Sequence, residues 1–173
     1  MGRTVTLRGA PFEVEGEELS VGQSAPNFKL IEKTIEGIEI ITLDDFKGRV
    51  LILNVVPSLD TSVCSTQTKR MSQIVDENKG KFDVLTVSVD LQFAQARWAV
   101  EQEIFNIRFG SDHLDANFGH AYRTLIPSLR LEQRSMFVVD KNGILQYKQY
   151  VNELGDEPDY GPPIAKALEL ASQ

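Results

Sequence analysis

The chain of 173 residues contains one cysteine, Cys64. An intramolecular disulfide is therefore excluded, and stability has to come from the core. No Cys-x-x-Cys or His-Glu-x-x-His pattern occurs, and the two histidines, His113 and His120, stand alone, so no zinc site is legible. No apolar run approaches the roughly 18 residues of a spanning helix. The stretch from Met1 to Glu18 has no uninterrupted apolar segment of the signal-peptide kind, so the expected location is the cytoplasm. Positive charge is also in short supply: 18 Lys and Arg against 25 Asp and Glu leave a formal charge of −7. That balance repels phosphate backbones and anionic membranes. The longest basic cluster, Lys69-Arg70, has no interleaved aromatics of the sort a single-strand groove needs. Neither nucleic acid nor a membrane is an expected partner. A hydrophobic fraction of 42% with 25% charged residues excludes a disordered chain and predicts one packed domain over 1–173.

What the chain does have is alternating strand and helix patterns. Val50–Val56, VLILNVV, is a nearly continuous branched apolar run, which reads as a strand covered on both faces in a parallel sheet. After the turn-prone Pro57-Ser58-Leu59-Asp60, residues Cys64, Thr68, Met71 and Val75 recur with the spacing of one helical face. Lys79-Gly80-Lys81 ends that helix and Val84–Val89 forms a second strand, which gives a right-handed β-α-β unit. Further helices are expected from Phe93 to about Gln102 and from Asn117 to Leu125. Ser135–Val139 and Ile144–Tyr150 flank Asp140-Lys141-Asn142-Gly143 and predict an antiparallel hairpin. Pro163 precedes an amphipathic run with Ile164, Ala167, Leu168 and Leu170 on its apolar side. Near the N-terminus, Phe12–Val14 and Ile38–Thr42 alternate as strands do, punctuated by Gly9, Gly16, Gly22, Pro26 and Gly37. The expected architecture is α/β, with an N-terminal β extension over 1–45 and a core over 46–173.

Cys64 falls where the predicted helix begins. Free backbone N–H groups and the positive end of the helix dipole there stabilise negative charge on sulfur. This makes it a candidate nucleophile, although position alone suits a small buried hydrophobe equally well. The preceding residues shift the balance, because Pro57 to Cys64 reads Pro-x-x-x-Thr-x-x-Cys. This segment resembles the active-site signature of peroxiredoxins. Under that resemblance Pro57 stiffens the loop and shields the sulfur from water. Thr61 places a hydroxyl in the same pocket, able to accept from a peroxide O–H or to donate to sulfur or oxygen. Taken alone, Thr61 fits an ordinary helix N-cap as well. Displacement on a peroxide builds negative charge on the leaving oxygen and requires a fixed cation facing it. Arg134 is the candidate, standing immediately before a buried-looking strand, although its position alone also fits a surface arginine at a strand entrance.

The resemblance extends over most of the chain and is specific to the thiol peroxidase branch of the family. It is carried by Ser58–Cys64, Asp90–Arg97, Ser111-Asp112, Phe118–Tyr122, Arg134–Asp140 and Glu157–Tyr160, in order. It implies a thioredoxin-like fold with a central mixed sheet flanked by helices, an N-terminal β-hairpin, a homodimer, and reduction of hydrogen peroxide and organic hydroperoxides. It implies an external thiol reductant, usually thioredoxin, and no metal, haem or flavin. The chain departs from the branch at Ala99, where most members carry the cysteine that resolves the sulfenic acid. Either an outside thiol reduces Cys64 directly in a natural one-cysteine member, or Ala99 replaces a native cysteine in an engineered variant. The rival reading from another class is a thioredoxin-fold redox-sensing or holdase module without efficient turnover. A thiol-disulfide oxidoreductase lacks its Cys-x-x-Cys here.

Overall fold

The computed structural model describes residues 2–173. A hairpin of β1 (Arg3–Leu7) and β2 (Ala10–Val14) comes first, followed by β3 (Lys29–Thr34), β4 (Gly37–Thr42) and β5 (Leu51–Val55). Then come α1 (Ser62–Glu77), β6 (Asp83–Ser88), α2 (Gln92–Glu101), β7 (Arg108–Ser111) and α3 (Asn117–Tyr122). The short β8 (Leu125–Ile126) and β9 (Leu131–Glu132) lead to β10 (Ser135–Val139), β11 (Leu145–Tyr150) and α4 (Gly161–Ala171). The seven-stranded sheet has the order β11-β10-β5-β6-β7-β3-β4. The β5-β6-β7 pairs are parallel, while β10 and β3 run antiparallel to their neighbours, so the sheet is mixed.

Burial explains the order. All five residues of β5 are buried, as the VLILNVV run predicts for a strand covered on both faces. One face presents Ile52, Val56, Val84, Met136 and Val138 to Met71, Ile74, Trp98, Ala167 and Leu170 of α1, α2 and α4. The opposite face presents Leu51, Leu53, Val55, Leu85, Val87 and Phe137 to Phe28, Phe118 and Tyr122. The β10–β11 hairpin forms where Asn-Gly predicts it. Asp140 Oδ1 accepts from the Asn142 and Ile144 N–H groups at 2.8 and 3.0 Å, and Gly143 takes the left-handed φ of 79° that the turn requires.

Two features differ from the local sequence signals. Pairing divides the segment 1–45: β3 and β4 join the main sheet through β7, and only the β1–β2 hairpin stands apart. The helix expected over Asn117–Leu125 stops at Tyr122, because Arg123 adopts φ 61° and Leu125–Ile126 pair with Leu131–Glu132. The exit is held by backbone bonds, Thr124 N–H donating to Gly119 O at 3.0 Å and Gln133 N–H to Thr124 O at 2.6 Å, which turn the chain into the β8–β9 pair.

The hairpin has a structural task near Arg134. Val5 and Val14 pack with Ile126 and Leu154, and β1 bonds the 152–154 segment through Thr6 N–H to Asn152 O and Leu154 N–H to Thr6 O, both 2.8 Å. That pairing fixes the Leu154 carbonyl, which accepts from Arg134 Nη2 at 2.7 Å.

Candidate active site

Cys64 is the third residue of α1 and is completely buried. Thr61 occupies the N-cap position with extended backbone, yet its side chain makes no cap hydrogen bond. Its hydroxyl donates to the Ser58 carbonyl at 3.0 Å, which leaves the oxygen lone pairs free to accept, and the residue is exposed. Pro57 is buried at the end of β5. The loop between them is held by Asp90, whose carboxylate accepts from Ser58 Oγ at 2.7 Å, Leu59 N–H at 2.8 Å and Ser88 Oγ at 2.7 Å. The loop that delivers the cysteine is thereby tied to the end of β6.

Arg134 is 1% exposed. It stands just before β10, and among the described residues no carboxylate pairs with it. Its Nη1 donates to Gln67 Oε1 at 2.8 Å and its Nη2 to Leu154 O, while Nε has no partner among the described residues. A buried guanidinium with neutral partners keeps its full charge for whatever anion develops nearby, because the low local dielectric does not screen it. Gln67 Nε2 in turn donates to Asn54 Oδ1 at 2.6 Å. Asn54 Nδ2 donates to the hydroxyls of Thr68 at 3.3 Å and Thr86 at 3.1 Å, and Thr68 Oγ1 donates to the Cys64 carbonyl at 2.9 Å. Unbroken hydrogen bonding thus links Arg134 with the backbone of Cys64.

Tyr160 sits within the positive field of Arg134 and Arg70. Burial, and then the Glu157 carboxylate to which it donates at 2.8 Å, push its phenol well up. Ala99 lies on α2 and is buried in the same apolar cluster as Cys64. It also lines a cavity of about 620 Å³ between α2 and β3, with Val100, Ile104, Ile107 and Phe109, to which Cys64 does not contribute. His120 lies away from the cysteine, its Nδ1 2.7 Å from Glu15 Oε1.

Gln67 and Asn54 are not among the residues that sequence reasoning selects. Gln67 does carry a signal, since it lies three residues after Cys64 on the buried side of α1, where a polar side chain requires a partner. Asn54 is likewise the one amide within the apolar run.

Known proteins resemble the chain over most of its length. The sequence pattern described as the AhpC/TSA family matches residues 21–148. A thiol peroxidase of Bacillus subtilis (strain 168) is 42% identical over 166 residues, covering 96% of this chain and 97% of that protein. A thiol peroxidase of Halalkalibacterium halodurans is 41% identical over 168 residues, covering 97% and 96%. Among solved structures, a peroxiredoxin-like protein from Aquifex aeolicus superposes with a TM-score of 0.88 at 36% identity, covering 98% of both chains. A thiol peroxidase from Chromobacterium violaceum shares the fold with a TM-score of 0.85 at 19% identity, covering 100% of both chains. With its thioredoxin-like sheet and its relatives matched nearly end to end, the chain belongs to the AhpC/TSA family of peroxiredoxins and, within it, to the thiol peroxidases.

Proposed function

We propose that the Cys64 thiolate attacks the terminal oxygen of a hydroperoxide. A sulfur–oxygen bond forms as the O–O bond breaks, and the departing oxygen takes up a proton to leave as water or an alcohol. Cys64 is then a sulfenic acid. An outside thiol condenses with it, releasing water, and a second thiol reduces the resulting mixed disulfide. With Ala99 at the resolving position and no second cysteine, the intramolecular route is closed. Thioredoxin is the reductant the family suggests, and a homodimer belongs to the same reading.

The observation that most supports this reading is the unspent Nε–H of buried Arg134, a costly orphan donor unless an acceptor arrives. A peroxide oxygen gaining negative charge is such an acceptor, and the two other bonds of the guanidinium pre-set its plane. Thr61 complements it: with its hydrogen committed to Ser58, its oxygen can accept the peroxide O–H. Pro57 keeps water from the sulfur. Cys64→Ser tests the assignment, because serine keeps the size while its hydroxyl is far less acidic than a thiol. Hydroperoxide consumption should fall to background with the circular dichroism spectrum unchanged, and near wild-type turnover would refute the nucleophile.

A further inference from the structure

Every residue of β5 but one is apolar. Asn54, near its C-terminal end, is fully buried beside Leu53 and Val55, a placement that is unfavourable unless the amide is fully hydrogen-bonded. The bonds around it run in one direction. Arginine can only donate, so Gln67 must turn its carbonyl oxygen toward Arg134. Its amide N–H then needs an acceptor, which is Asn54 Oδ1 at 2.6 Å. That leaves the Asn54 N–H groups for Thr68 and Thr86, and Thr68, having accepted, spends its own hydrogen on the Cys64 carbonyl. Aspartate here would lack the N–H groups, and an aliphatic residue would lack both ends.

We propose that Asn54 is a positioning residue for the peroxide reaction, fixing which end of Gln67 faces Arg134 and tying that orientation to the carbonyl of Cys64. The proposal rests on the peroxidase reading above. Cation and sulfur are then set relative to each other from one strand at the centre of the sheet. Without Asn54, the Gln67 amide is free to rotate and present N–H to the guanidinium, donor against donor, and Arg134 moves off the leaving oxygen. Small misplacements of this kind cost about 10- to 100-fold in rate.

The test compares two second-order rate constants at Cys64, one with hydroperoxide and one with iodoacetamide, whose displacement has no leaving oxygen for Arg134 to stabilise. Asn54→Leu, close to isosteric, should lower the peroxide-to-iodoacetamide ratio about tenfold or more, and Gln67→Met should do the same. The double variant should be no worse than the worse single one, since both changes break the same chain. A merely structural defect admits both reagents alike and leaves the ratio at the wild-type value. If Asn54→Leu does not fold, Asn54→Ser, too short to bridge Gln67 and Thr68, is read by the same ratio. An unchanged ratio, or losses that multiply in the double variant, overturns the proposal while the peroxidase reading stands. A wild-type chain whose Cys64 ignores hydroperoxide overturns both.

Discussion

In the proposed mechanism the chemistry turns on Arg134, which is buried and bonded only to neutral oxygens. A lysine there would keep the charge but could not address Gln67, the Leu154 carbonyl and a substrate oxygen with one rigid plane. Removing a single donor to a developing oxyanion typically costs about 2.7–4 kcal/mol, so Arg134→Lys should lower the second-order rate constant with hydroperoxide on the order of a hundredfold. An unchanged constant would take Arg134 out of the site. At this scale the candidate site is legible in sequence only where a motif spells out residue types, as Pro57, Thr61 and Cys64 do in one local segment. Gln67 and Asn54 were hidden because a helix stripe and a strand run reveal which positions are buried. They do not reveal which side chains meet across the gap between those elements.

Elements carry the second half of the cycle. Under the proposed correspondence at Ala99, a resolving sulfur there would have to travel to Cys64 and α2 would have to unwind, since Ala99 lies buried on α2 and Cys64 within the first turn of α1. Ala99→Cys should supply a tethered thiol. After peroxide treatment the wild-type mass should rise by one and then two oxygens, while the variant should instead lose two hydrogens. If the variant over-oxidises just as the wild type does, either the correspondence at 99 is wrong or α2 does not open. Legibility at this scale followed the strength of the local pattern. The β5, α1 and β6 signals were long and unambiguous, and the Asp140–Gly143 turn marked its hairpin. Asn117–Leu125 overran because Phe118, Tyr122 and Leu125 keep a helical period, whereas the exit at Arg123 comes with pairing of 124–126 against 131–133, which local periodicity does not encode. The place of β3 and β4 at the sheet edge depends on pairing with β7, a long-range choice that no local alternation encodes.

Over the whole molecule, the hairpin at one end of the chain and the cation near the other are joined through Leu154, so the site depends on the complete fold. Stability should also respond to pH through a group outside the site. Glu132 is fully buried, accepts from Thr124 Oγ1, and leaves Oε1 without a donor partner. Burial first, and then the adjacent Asp112 carboxylate, hold its carboxyl well above the usual carboxylate range. Because the folded value is raised, its contribution to stability is complete below the ordinary value of 4.5 and is lost as pH climbs through the raised one. Glu132→Gln cannot ionise, so the melting-temperature difference in its favour should widen as pH rises from about 5. At this chain length each ~1 kcal/mol of that difference corresponds to about 2–4 °C. Parallel melting curves across that range would contradict the assignment of a buried, protonated Glu132.

The central claim, that the sulfur of Cys64 is the atom oxidised by hydroperoxide, is tested most directly by mass spectrometry. The reduced chain is treated with one equivalent of hydroperoxide in the presence of a sulfenate-trapping reagent, and its peptides are then mapped. The prediction is a single trapped adduct, located on Cys64, formed as the peroxide disappears. Peroxide consumed while Cys64 stays unmodified, or peroxide left intact beside a free thiol, would contradict it.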